Sequence, residues 1–183
     1  KIVVQVGFQW MSNAKMVDCV QRVHKGEIGD LIEGRFARHG GASPLLGWFG
    51  HRKQSGDWMV EQACHEFNIM NWVAKATPIR AYGLGRNDIY TNKQPDRDVT
   101  DYYSAIIEYP NGFTVHYGHG WISPKGFEGM MMRAIGTKGG VDVLEGRISL
   151  LDEKAKVDPI VADNSFDSDV AMGNFFRSIR EGK

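Results

Sequence analysis

Apolar positions recur along this chain with two periods, every second residue in some stretches and every third or fourth in others, and these stretches set out its elements. Ile2 to Phe8 reads as a strand. Ser12 is suited to cap a helix running to about Lys25, with Ala14, Val17, Val20 and Val23 buried and Gly26 at its end. Asp30 to His39 reads as a strand in which Arg35 and Arg38 put a charge on each face. Gly40 to Gly56 has no period, yet it holds Trp48, Phe49, His51, Arg52 and Lys53, the content of a binding loop as much as of a connector. From Ser55 to Trp72 (SGDWMVEQACHEFNIMNW) the spacing predicts one helix. Met59, Ala63, Phe67, Met70 and Ala74 form its core side, and Asp57, Glu61, His65, Asn68 and Trp72 form a polar stripe opposite.

The second half turns to strands, at Ile79 to Asn87, Asp101 to Tyr109, Phe113 to Ile122, Met130 to Gly136 and Val141 to Leu151. Pro110-Asn111-Gly112 between two of them is a hairpin signal. In that pair both faces carry apolar or aromatic residues, so helices are expected on one side and a partner subunit on the other. Lys154 to Asp167 is polar loop, and a last helix from about Ser168 to Arg180 should bury Val170, Met172, Phe175, Phe176 and Ile179. The order β, α, β, α, a run of β, then α predicts an α+β fold: an open, mostly antiparallel sheet with helices on one face.

Composition narrows the class. The 183 residues suit a single domain. Lys plus Arg and Asp plus Glu number 22 each, so no net field points to nucleic acid or an anionic membrane. No apolar run reaches the length of a membrane span. The two cysteines, Cys19 and Cys64, both fall in predicted helices, which suits a reducing, cytoplasmic setting rather than a disulfide framework.

The chemistry then rests on few residues. His116 and His119 point to opposite faces of one strand, and no histidine or cysteine spacing forms a metal site. There is no G-x-G-x-x-G turn, Walker loop or G-x-S-x-G elbow. Glu61 and His65, at i and i+4 of the central helix, are expected to lie one above the other and share a hydrogen bond. Spacing alone leaves two readings of that stripe, the wet side of a core helix or one wall of a pocket.

Six segments in order, QVGFQW, HKGEIGDLIEGRF, SGDWMVEQACHEFN, EYPNGFTVHY, IGTKGGVDV and FFRSIREGK, resemble the C-terminal domain of the Gfo/Idh/MocA oxidoreductases, a family that includes glucose-fructose oxidoreductase and inositol dehydrogenase. The resemblance implies a two-part parent. An N-terminal Rossmann domain, absent from this chain, binds NAD or NADP, and this domain supplies the substrate wall and a homo-oligomer interface through its sheet face. It implies no cofactor on this chain alone.

His65 matches the histidine that assists proton transfer at the substrate, and Glu61 stands where many members have aspartate. Asn68 stands at another frequent aspartate, Met11 at a frequent arginine, and Ser55-Gly56 matches half of a common double glycine. The family's catalytic lysine belongs to a Glu-Lys-Pro motif in the other domain. Around His65, the expected contacts to a sugar or polyol substrate are Asn68, Trp48, Arg52, Lys53, Trp10 and Trp72. The activity implied for the intact parent is oxidation of a secondary alcohol of a sugar or cyclitol, with this chain inactive alone. The alternatives are a redox-assisted glycoside-cleaving enzyme and a non-catalytic binding or assembly module of the same fold.

Overall fold

The computed structural model describes residues 2–42, 47–90, 93–162, 165 and 167–182; residues 43–46 of the aperiodic loop lie outside the described residues, as does Asn92. Helix α1 (Ala14–His24) is capped by Asn13, whose side chain accepts from Met16 N at 3.0 Å. Asn13 therefore takes the role expected of Ser12, which falls in a 3-10 turn, Gln9–Ser12. The helix buries Met16, Cys19, Val20 and Val23 and ends at Lys25, with Gly26 left-handed at φ 82°.

Strand β1 (Leu31–Gly41) follows. The helix expected from Ser55 to Trp72 is instead three pieces, α2 (Arg52–Ser55), α3 (Trp58–Glu61) and α4 (Ala63–Ala74). The remaining strands are β2 (Arg80–Arg86), β3 (Tyr102–Glu108), β4 (Thr114–Ser123), β5 (Gly129–Gly136), β6 (Gly139–Asp142) and β7 (Arg147–Leu150), and α5 (Asp167–Glu181) ends the chain's regular structure.

All seven strands form one open sheet in the order β2-β3-β4-β1-β5-β6-β7. Every pair is antiparallel except β1 with β4, which run parallel with Phe36 opposite Tyr117 and Arg38 opposite His119. The β3–β4 hairpin turns at Pro110-Asn111-Gly112, where Gly112 takes φ 81°. On one face Phe36, Val115, Tyr117, Met132 and Ala134 join Val20 and Val23 of α1 and Ile69, Met70 and Val73 of α4 in a continuous core. Each such side chain contributes about 1.5–3 kcal/mol by leaving water.

The other face is open. Tyr82, Ile106, His116 and Arg35 form one row across it, and with Leu84 and Met131 they border a shallow groove of about 570 Å³. No helix among the described residues is long and apolar enough to cross a membrane.

Two expectations fail here. Residues 2–8 do not form a strand: they pair with no neighbour, and Ile2, Val4 and Val6 face solvent. A β-prone run without a partner strand has nowhere to place its backbone hydrogen bonds except water. In α5 only Ala171 is buried, while Met172, Phe176 and Ile179 remain about half exposed, so its apolar side is only partly covered by the described residues.

Candidate active site

Several buried polar groups, among them Asp57, Glu66 and His119, lie at or beneath α3 and α4. Asp57 sets the geometry there. This residue sits at φ 69°, ψ 173°, a conformation that costs a side-chain-bearing residue about 1–3 kcal/mol. Its carboxylate offsets the strain: it caps α3 by accepting from Trp58 N at 2.7 Å, and Arg52 Nη2 lies 3.3 Å away. Gln62 then breaks the helix before α4, at φ −113° and ψ −49°, and its side chain accepts from Trp121 Nε1 at 3.2 Å.

The break has a direct consequence for Glu61 and His65. In an unbroken helix the two would stack, but Gln62 shifts the phase between them. Glu61 Oε2 and His65 Nδ1 are both buried, and neither has a hydrogen-bond partner, so the expected shared bond is not formed. The stripe is nevertheless not the wet side of a helix: Asp57 is buried, and Glu61, His65, Asn68 and Trp72 are all half-buried.

His65 lies against Phe8, edge-on with ring centroids 5.8 Å apart, and against Trp10, tilted at 5.3 Å. The end of the segment that fails to form a strand and the 3-10 turn after it thus each lay one aromatic ring on the imidazole. Burial lowers the His65 pKa, and the charge of Arg38 acts in the same direction. The ring is therefore neutral at neutral pH, in the state that accepts a proton. Burial raises the Glu61 pKa, with Arg38 opposing.

Beneath these two lie groups absent from the sequence-derived set. Glu66 is completely buried, its Oε1 3.4 Å from Arg38 Nη1 and its Oε2 without a partner. His119 is buried too, and burial pushes its pKa down to about 4. Tyr117 Oη lies 2.8 Å from His119 Nδ1. Burial raises the Tyr117 pKa, so the phenol keeps its proton within this bond, while His119 Nε2, also buried, has no partner. The signal for these residues lay in alternation: Arg38 follows Phe36 by two, and His119 follows Tyr117 by two, on the core side of their strands.

The other expected contacts divide. Trp10 touches His65, and Asn68 is half-buried on α4 nearly one turn further along. Trp72 packs on the core, and its carbonyl lies 2.7 Å from His24 Nε2. Arg52 is engaged elsewhere, donating from its backbone N to Asp98 Oδ1 at 2.6 Å and from Nη2 to Asp98 O at 3.1 Å. Lys53 is exposed on α2. Trp48 belongs to a second aromatic cluster, on Phe49 at 5.0 Å, with Phe49 on Trp58 at 4.9 Å and Trp58 stacked on Trp121 at 5.3 Å. Among the described residues no group of three His, Cys, Asp or Glu could hold a metal ion.

Residues 17–142 match the sequence profile of the GFO/IDH/MocA C-terminal domain. No curated protein sequence matches the chain. Its fold is similar to that of a levoglucosan dehydrogenase solved in complex with NADH and levoglucosan, with TM-score 0.80 at 16% identity over 99% of this chain and 58% of that one. It is likewise similar to a myo-inositol 2-dehydrogenase from Lactobacillus plantarum, with TM-score 0.73 at 21% identity over 98% of this chain and 55% of the other. An oxidoreductase from Thermotoga maritima superposes with TM-score 0.73 at 19% identity, over 100% of this chain and 54% of its own. The chain thus spans little more than half the length of these solved relatives.

Proposed function

Since the chain belongs to the Gfo/Idh/MocA family, we propose that it is the substrate-side and assembly domain of a nicotinamide-dependent oxidoreductase that acts on a secondary alcohol of a sugar or cyclitol. The observation that carries this reading is His65: a half-buried neutral imidazole with an unpaired Nδ1, walled by Phe8 and Trp10, with Glu61 on the other side of the Gln62 break keeping a buried, unpaired carboxylate oxygen. The levoglucosan dehydrogenase of similar fold was solved with NADH and levoglucosan, which supports the cofactor and carbohydrate class.

The chain's own residues do not fit a dinucleotide. Gly83-Leu84-Gly85, its nearest approach to a phosphate-binding turn, lies inside the exposed edge strand β2 rather than between a strand and a helix. The cofactor is assigned to another part of the parent protein, where, when bound, a nicotinamide supplies the hydride acceptor.

What this chain contributes is the removal of the proton. A secondary hydroxyl directed at the imidazole gives its proton to a ring nitrogen as the C–H bond breaks, and a base that is neutral at working pH is the form required. Glu61 offers Oε2 to a second hydroxyl of the same ring, or to the imidazolium once formed. The rings of Phe8 and Trp10 keep water from the imidazole.

Assembly is the second part of the proposal. The open sheet face, with Tyr82, Leu84 and Ile106 exposed, supports a homo-oligomer formed through that face.

The test is the intact parent assayed with NAD and NADP on a panel of sugars, anhydrosugars and cyclitols. His65→Ala is expected to lower kcat/KM by about 10²–10⁴-fold. Tight cofactor binding with no turnover of any polyol, or full activity without His65, overturns the reading.

A further inference from the structure

At their far ends β1 and β4 slip by one residue. His39 pairs with Gly120 but Gly41 with Ser123, so Trp121 and Ile122 of β4 stand against Gly40 alone. A bulge of this kind re-aims a side chain. The indole of Trp121 lies against Gly40, where a Cβ would come within 2.5 Å of the ring, and it stacks on Trp58 at 5.3 Å with the planes 12° apart. Its backbone is held too, by Trp121 N donating to Asp101 O at 3.1 Å and by Tyr90 Oη donating to Trp121 O at 3.1 Å. The ring is thus fixed with its N–H directed at the break between α3 and α4, where it donates to Gln62 Oε1 at 3.2 Å.

Nothing in the local sequence asks for this break. Trp58 to Ala74 contains neither Gly nor Pro. Continuing the helix would bring Glu61 and His65 into contact at i and i+4, and would give a partner to Glu61 Oε2 and His65 Nδ1, two buried atoms that have none. Instead His65 N donates to Gln62 O at 3.1 Å, one residue short of the helical bond to Glu61 O, and the Cys64 thiol donates to Glu61 O at 3.5 Å. The side chain and carbonyl of Gln62 therefore link Trp121 to His65 through two hydrogen bonds.

We propose that Trp121 is a positioning residue of the site: by holding Gln62 it keeps the helix open between Glu61 and His65, so that the carboxylate and the imidazole meet the substrate rather than each other. The inference rests on the reading of His65 as proton acceptor. A helix allowed to close would spend the pair on itself. The carboxylate would occupy His65 Nδ1 and favour the charged ring, at the expense of the neutral base that proton removal requires.

The experiment is an NMR titration of the intact protein labelled at the histidine rings, with His65 assigned through His65→Gln. Trp121→Phe keeps a ring on Trp58 and removes the N–H. Gln62→Ala removes the acceptor and leaves the aromatic stack untouched, so the test does not depend on one variant folding. In each, the His65 midpoint is expected to rise by about one pH unit as Glu61 closes on it, and the two together are expected to add nothing to either alone. With Glu61→Gln as the background, neither substitution should move it. The other charged groups near the break, Glu66 with Arg38 at 3.4 Å and Asp57 with Arg52 at 3.3 Å, are the same in every variant, as are Cys64, Tyr117 and His119. In the active parent, the acid limb of the kcat/KM profile is expected to move up in step with the midpoint.

An unchanged or lowered midpoint in either variant, natively folded, overturns the proposal, as do rises that add in the double variant. So does a rise that persists in the Glu61→Gln background, since water entering the site would produce it without any pairing. The two levels of inference separate cleanly. A parent that oxidises no alcohol but whose His65 follows Trp121 through Glu61 sinks the oxidoreductase reading and leaves the placement of Trp121 standing. An active parent whose His65 ignores Trp121 sinks this proposal alone.

Discussion

The rings of Trp10 and His65 lie 5.3 Å apart, their planes tilted by 51°, so the imidazole shares one of its faces with an indole rather than with water. Burial is the larger cause of the lowered His65 pKa, ahead of Arg38. Trp10→Ala readmits water to that face, and the His65 pKa is expected to rise toward the ordinary histidine value. A histidine-ring NMR titration reads the change directly; no movement would show that the indole contributes nothing to the desolvation.

Asp57 holds a strained backbone through its carboxylate, and two substitutions separate the strain from the cap. Asp57→Ala loses the bond to Trp58 N while keeping a Cβ at φ 69°, and about 1–2 kcal/mol of stability should go with it. Asp57→Gly loses the same bond but removes the steric cost, so it should be the milder change. Urea unfolding of the two variants checks the order, and a glycine variant less stable than the alanine one contradicts the strain.

His119 makes acid stability measurable. Its folded pKa of about 4 lies below the ordinary histidine value of 6.5, so the unfolded chain binds the proton more readily. The stabilisation is complete above about pH 6.5 and fades as pH falls toward 4, by about 3 kcal/mol in all. Glu61 and Glu66, whose pKa values are raised by burial, pull the other way as pH rises. The difference between the original protein and His119→Gln therefore isolates the histidine: the variant should lose less stability between pH 7 and 4.5, by urea unfolding at each pH.

Gly40 lies beneath Trp121, where an added Cβ would sit 2.5 Å from the indole ring. Gly40→Ala must push Trp121 off its stack on Trp58, at a cost of about 1–3 kcal/mol. Near-ultraviolet circular dichroism should register the broken indole pair, and an unchanged spectrum would mean that the ring moves freely.

Leu84 and Ile106 stand exposed on the open face. If that face joins two copies, Leu84→Arg together with Ile106→Arg should lower the mass seen by light scattering at micromolar protein while leaving the thermal midpoint of the separated chain nearly unchanged. A mass unaffected by both charges places the interface elsewhere.

The sequence carried the elements whose signals are local. Pro110-Asn111-Gly112 announced the hairpin, whereas apolar and aromatic residues on both faces of the pair left open that Phe113, Val115, Tyr117 and His119 form the buried side. It did not carry what depends on distant partners. Residues 2–8 have strand-like composition, but strand formation needs a neighbour. Nothing in the composition of WMVEQACHE marks Gln62 as a break, because the bond that holds it comes from Trp121, far along the chain. His65 and Glu61 were legible as a pair on one helix face; the loss of their hydrogen bond was not. Glu66, between two residues of that helix already singled out, reads as an ordinary surface glutamate until the sheet brings Arg38 beneath it.

The parallel pairing of β1 with β4 also bears on how the chain is made. Glu33 must find Thr114, and on its other side Ile135, before the strand has any partner at all. During synthesis the first strand and the helices that follow it therefore leave the ribosome with their apolar sides uncovered, and they wait until most of the chain has emerged. Folding of this domain is expected to be slow, late and dependent on long-range closure, with the unpaired central strand the part most in need of chaperone protection.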